Sequence, residues 1–244
     1  MKKNLLLLTT LLSLFFTSCQ FTEEITFNKN GSGHYNLKVD MSQMLKGMSG
    51  LKEKDSLQKK PEKVDSTIYF KDILTLKKDS IAKLSASDQA ILHAIKDLKL
   101  HINMDEEKEI MVMDYAMDFR EISQINAIQE KMEKAQQLQD NKAKKDNITD
   151  HEVQYIYSKH QFQRKVVMKE LSEEDRQKFE DNQSQYGMFM NGSTFKLIYN
   201  FPKKIKKVSY PDVSYANNHK SLIIEVSMDS LTKNPKLLDF QVEF

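Results

Sequence analysis

The residues able to do chemistry are scattered along this chain. Six histidines, His34, His93, His101, His151, His160 and His219, include no pair at the i, i+4 spacing of a zinc helix and no His-Glu-x-x-His. No Gly-x-Ser-x-Gly elbow is present to expose a nucleophilic serine. Gly31-Ser32-Gly33 lacks the third glycine of a dinucleotide loop and the lysine of a phosphate loop, so it reads as a turn. Acidic pairs such as Glu23-Glu24 and Glu106-Glu107 are what a chain with 30% charged residues produces by chance. Met111, Met113 and Met117 could form a soft-metal or promiscuous binding face. Their alternation with Tyr115 and Phe119 favours core packing instead. Lys203-Lys204-Ile205-Lys206-Lys207 is the densest basic patch and follows Phe201-Pro202, where a strand ends. Lysines there protect a sheet edge; contact with membrane or glycan charge is the minority reading. No catalytic, cofactor-binding or metal-binding set is assigned.

Cys19 is the single cysteine, and its setting is informative. The chain opens with Met1-Lys2-Lys3, and Leu5 to Phe16 is apolar apart from Thr9, Thr10 and Ser13. That run is shorter than the ~20 residues a spanning helix needs. A cationic start, a short apolar stretch and a boundary of small residues predict a signal peptide over 1–18. The boundary Phe16-Thr17-Ser18-Cys19 resembles the lipobox of bacterial lipoproteins, although an aliphatic residue usually stands where Phe16 does. The resemblance implies that the Cys19 sulfur receives a diacylglycerol and that Cys19 becomes the N-terminus. One cysteine cannot form an intramolecular disulfide or a paired-thiol zinc or redox site. Each acyl methylene buried in a membrane contributes ~0.8 kcal/mol, and two or more chains hold a protein stably.

Loss of 1–18 removes Lys2 and Lys3, so the formal charge of +2 falls to zero. A neutral body offers no case for nucleic acid, which needs a concentrated basic footprint. With 39% hydrophobic residues, few glycines and prolines and no tryptophan, residues 19–244 read as a single core-forming body rather than a low-complexity segment.

The elements that must position any site follow from periodicity. Phe21, Ile25 and Phe27 alternate, Asn28 to Gly33 is dense in turn formers, and Tyr35, Leu37 and Val39 alternate back: a hairpin. Glu23 shares the inward phase of Phe21 and Ile25, so it must find a partner or stay wet. Asp40-Met41-Ser42 offers caps for a short helix. Residues 49–66 read as a mobile loop and 67–97 as mainly helical, with Ser85 or Ser87 capping a second helix. Strands are expected over 98–104 and 111–119, and a helical stripe over Ile122, Ile125, Ile128, Met132, Ala135 and Leu138. A polar linker covers 139–150. Val153 to Tyr157 and Phe162 to Met168 make one bent strand or two; Ser172 opens a helix; the last strands follow Phe195, Leu222 and Phe240. "LKVDMSQMLK" at 37–46 and "IEVSMDSLTK" at 224–233 share a strand-into-helix logic, and "DYAMDFREIS" at 114–123 is a looser copy. The expected class is α+β: an antiparallel sheet of hairpins with helices packed on one face.

The tether-adjacent hairpin with "NKNGSG" is similar to uncharacterised envelope lipoproteins and more remotely to the LppM-like lipoprotein domain. The resemblance implies an α+β body with lipid contact and carries over no catalytic residues. Three functions are therefore expected in order. The first is a non-enzymatic binding or assembly module on a membrane, with an envelope protein or lipid as partner. The second is a lipid- or glycolipid-binding domain, favoured by an apolar cavity lined with methionine and tyrosine. The third is an envelope enzyme, favoured by His101 or His160 clustered with buried carboxylates. The expected location is the outer membrane, facing the periplasm, with surface display through the acidic Glu23-Glu24 as the alternative.

Overall fold

The computed structural model describes residues 19–49, 61–129, 131–132, 149–190 and 192–244. The predicted signal peptide, most of the predicted 49–66 loop, the end of the helical stripe at Ala135 and Leu138 and most of the 139–150 linker lie outside the described residues. The fold is α+β with twelve strands among the described residues, predominantly antiparallel.

The strands divide between two sheets. One has eight strands in the order β10-β11-β8-β1-β2-β5-β4-β3: β1 is Gln20–Phe27, β2 Gly33–Asp40, β3 Lys63–Tyr69, β4 Lys99–Asp105, β5 Ile110–Phe119, β8 Thr194–Asn200, β10 Ser214–Ala216 and β11 Ser221–Ser227. The other has four in the order β6-β7-β12-β9: β6 is His151–Tyr157, β7 Gln161–Met168, β12 Phe240–Glu243 and β9 Lys207–Val208. β1 and β8 run parallel at the centre of the large sheet; its other pairs are antiparallel. Residues 153–168 are thus two strands, joined by a hairpin.

Period-two alternation turns one row of side chains after another onto the inner face of the large sheet. Met117, Tyr35, Ile25, Tyr199 and Leu222 are level across five strands. The small sheet lies over this row and the next, and aromatic rings fill the interface. Phe27 stacks on Tyr157 at 4.4 Å between ring centroids and on Phe201 at 5.4 Å, and Phe162 meets Tyr199 edge-on at 5.3 Å. Such pairs contribute about 0.5–1.5 kcal/mol each beyond their burial. Gly33 sits opposite Phe119 in the same layer, and the Phe119 ring and the Thr26 carbonyl occupy the space a Cβ would take. Gly31 holds φ +88° in the turn that the Asn28 and Ser32 backbones close.

The helices sit where cap residues put them. Asp40 Oδ1 accepts from the Ser42 amide ahead of α1 (Ser42–Ser49). α2 (Phe70–Leu76) and α3 (Lys78–Ile81) follow β3. Ser85 caps α4 (Ala86–Ala94) through the Asp88 amide, which buries Leu92; Ile95 and Leu98 are buried just beyond it. Ser172 accepts from the Asp175 amide at the start of α5 (Glu173–Met190), and Ser227 caps α6 (Met228–Lys233). The two stronger repeats are therefore real as local structure: β2 runs into α1 and β11 into α6, at the same end of the same sheet. β5 runs the opposite way, so the third copy turns at the far end, into a 3-10 turn at Ile122–Ile125 rather than the start of a regular helix.

The expectations for 63–69 are corrected. Residues 63–66 are not loop and 67–69 are not helix: together they form β3, an edge strand paired to β4 through its backbone. Its side chains are almost all exposed, so no buried face imposed a period on the sequence. Only the β-favouring Val64, Thr67, Ile68 and Tyr69 hint at it.

Gly33→Ala tests the close approach of Phe119. The variant should lose about 1–3 kcal/mol or more of unfolding free energy, because neither the Thr26 backbone nor the packed ring can yield freely. Urea denaturation measures it; an unchanged midpoint would show that the layer has slack at this point.

Candidate functional site

Cys19 stands immediately before β1 with no intervening tether. Its carbonyl accepts from the Thr194 amide at 3.2 Å, so the first residue of the proposed body is already stitched to β8. Its side chain is buried, as are Glu23, Ile25 and Phe27, whereas Gln20 is exposed. By strand parity the Cys19 sulfur therefore falls on the inner face. Burial pushes the thiol above its ordinary value; the neighbouring Ser193 hydroxyl opposes this and the Asp40 carboxylate adds to it. An unmodified thiol so placed is a poor nucleophile.

The same end of the sheet carries an apolar groove. Met113, Val39, Phe21, Phe195 and Val226 form the inner row nearest Cys19, beyond the reach of the small sheet. Phe21, Val39 and Phe195, with Leu37, Leu100 and Tyr115, floor a groove of about 470 Å³. Phe70, Gln129, Met132 and Met228 wall it. Its volume lies within the ~300–1,000 Å³ range of small-molecule sites.

Between groove and sandwich lies Glu23, 1% exposed. The Tyr155 hydroxyl donates to its Oε1 at 2.8 Å and the Tyr199 hydroxyl donates to the same oxygen. Arg164 Nε of β7 stands 3.8 Å from that oxygen, while its Nη1 donates to the Leu238 carbonyl at 3.0 Å. Burial opposes the guanidinium charge, but the tyrosines and Glu23 around it outweigh this and hold it protonated. Burial is also the main cause that raises Tyr35, Tyr155 and Tyr199 well above the ordinary phenol value, and the Glu23 charge adds to it. The Tyr35 hydroxyl is buried and has no hydrogen-bond partner. A hollow of about 20 Å³ lies beside Glu23 and Tyr35, room for about one water, and shares Gln129 with the groove.

The other candidates separate. His34 pairs with Asp118 at 2.8 Å and His151 with Asp150 at 2.7 Å, while His101 stands between Asp65 at 3.0 Å and Asp114 at 3.9 Å. Of the two His101 partners, Asp65 is a surface group, 71% exposed, and Asp114 is half-buried at 29%. Among the described residues no three His, Cys, Asp or Glu converge as metal ligands. Met117 is buried in the core, while Met111 and Met113 are half-buried. Lys206 and Lys207 lie at the edge strand β9, and Lys203 and Lys206 donate to the carbonyls of Lys159 and Phe244. The patch lies about 26 Å along β1 from Cys19, several times the ~8 Å over which exposed charges interact.

The inward phase of Glu23 was legible, and so was the equally inward phase of Arg164 between Phe162 and Val166. Two opposite charges in buried phase on different strands are the sequence trace of this cluster. The groove walls Phe70, Met132 and Met228 come from three remote segments and left no such trace. Compared with protein-family models, curated proteins and solved structures, the chain matches none.

Removing one member of the cluster should cost far more than neutralising it. Glu23→Ala strands Arg164 and should lose about 3–5 kcal/mol in urea denaturation. Glu23→Gln should cost less, since its amide oxygen still accepts both hydroxyls. A loss below ~1 kcal/mol for Glu23→Ala would remove the cluster from the stability of the fold.

The raised tyrosines fix an alkaline limit. The folded protein retains phenolic protons that the unfolded chain releases above pH ~10, so their contribution is complete below that pH and lost above it. The fall should reach up to ~1.4 kcal/mol per pH unit for each such tyrosine. Tyr35→Phe removes an unpartnered hydroxyl, so it should be neutral at pH 7 and flatten the alkaline fall. A slope unchanged in that variant would contradict the assignment.

Proposed function

We propose that this is a non-enzymatic envelope lipoprotein, a binding or assembly module held on a membrane through acylated Cys19. The observation that carries the reading is the direct stitching of Cys19 to the end of the central strands. Whatever is attached there is coupled to the body without slack, and the groove lining at Phe21 and Phe195 lies at the same end. Among the described residues no helix is long and apolar enough to cross a membrane, so attachment rests on the lipid in this reading. A second reading, a lipid- or glycolipid-binding body, is favoured by one specific feature: the groove is lined by Tyr115, Met132 and Met228 among phenylalanine and aliphatic side chains. The enzyme reading asked for histidine beside buried carboxylates; among the described residues the buried Glu23 has tyrosine and arginine partners and the buried Asp105 has Lys63 and Lys108.

We place the protein at the outer membrane, facing the periplasm, with surface display as the alternative. Of the acidic pair invoked for display, Glu23 is enclosed in the folded body. Glu24 lies on the opposite face, where it accepts from the Asn200 side chain, and is the member a recognising factor could reach.

Mass spectrometry of the membrane form should give an N-terminal peptide beginning at diacylglyceryl-modified Cys19. Cys19→Ser should move the folded body to the soluble fraction. An unmodified Cys19 in a soluble wild-type protein would refute the reading.

A further inference from the structure

We propose that the apolar groove receives an acyl chain of the protein's own lipid at Cys19. The inference rests on the lipoprotein reading above and names the ligand of its groove. Cys19 and Phe21 share the inner face, and two residues of strand separate them by about 7 Å. A chain carried on Cys19 thus starts within about 7 Å of the groove lining at Phe21 and needs no long search to reach it. The floor it meets, Phe21, Val39, Leu37 and Phe195, is hydrocarbon and aromatic. The far side favours the same orientation. Beyond Gln129 lies the hollow of Glu23, His151 and Glu152, with room for about one water, so a free fatty acid entering head first would strand its carboxylate out of water with no space for a headgroup. A chain tethered at Cys19 enters tail first and brings no charge.

The energetics make such a chain exchangeable. A bilayer interior is as apolar as this lining, so moving the chain between the two changes little hydrophobic free energy. Water is the state to be avoided, and the groove offers cover whenever that chain is out of the bilayer. The anchor then has two settings, all chains in the membrane or one chain in the body.

Metabolic labelling with a diazirine fatty acid tests this on the full-length protein in its own membrane. After irradiation, mass spectrometry reads both the label on the Cys19 peptide and its crosslinks. The proposal expects labelled Cys19 joined within one molecule to peptides containing Phe21, Val39 or Met228. Met228→Trp, which narrows the groove, should reduce these crosslinks at least about tenfold while labelling of Cys19 and the melting temperature persist. Labelled Cys19 crosslinked only to phospholipid, or only to a second protein molecule, would overturn the proposal and leave the lipoprotein reading standing. Groove crosslinks undiminished in folded Met228→Trp would overturn it too. Absence of label from Cys19 would fell both, and is distinguished by the peptide mass alone.

Discussion

A carboxylate buried in the middle of β1 sets the terms for the rest of the molecule. Glu23 cannot be taken out of water without partners, and β1 and its neighbours supply only Tyr199. Tyr155 and Arg164 come from the small sheet, so the sheet that covers the aromatic layer is also the one that satisfies the charge. A buried ion pair is weak evidence for stability, because a well-packed apolar replacement often does as well. Its value here is positional. Packing of the rings already resists sliding, and a slip by one pleat, about 7 Å, would also separate Glu23 from Arg164.

That placement divides the inner face of the large sheet in two. Beyond Glu23 the rows of Ile25 and Phe27 are sealed under Tyr157, Phe162 and Phe240. On the Cys19 side the row of Phe21, Val39 and Phe195 escapes the small sheet and becomes the groove. Dry sandwich and open groove are thus two halves of one surface, with the polar cluster at their boundary. The end beside Cys19 also carries α1 and α6, while the lysines of the 203–207 segment stand at the other end, where Lys203 and Lys206 donate to backbone carbonyls.

Much of this was legible where burial left a pattern. Alternation located the hairpin of β1 and β2, the pair β4 and β5, and the strands that begin near 162, 195, 222 and 240. Oxygen-bearing residues at 40, 85, 172 and 227 marked helix starts because capping is a local demand. β3 was lost because an edge strand with exposed side chains is held by backbone pairing, which any sequence can provide. The stripe through Ile122 and Ile125 was read as a regular helix, yet Asn126 and Ala127 break it; Ala127 takes φ 50° and its amide bonds Val153. The division into two sheets and the groove walls depend on contacts between segments far apart in sequence, to which no local period refers.

Cys19 is stitched to the grooved end of the body, so on the proposed anchoring this end meets the membrane. With Cys19 acylated, no other cysteine interferes with labelling. Spin labels at Asp229→Cys on α6 and at Lys204→Cys beyond β8 can then be measured separately in the acylated protein on vesicles, against a paramagnetic relaxant confined to the lipid. The account predicts relaxation by the lipid phase for the label at 229 and none for the label at 204, which lies roughly 26 Å further along the strand direction. Equal relaxation of the two, or relaxation of neither, would contradict it.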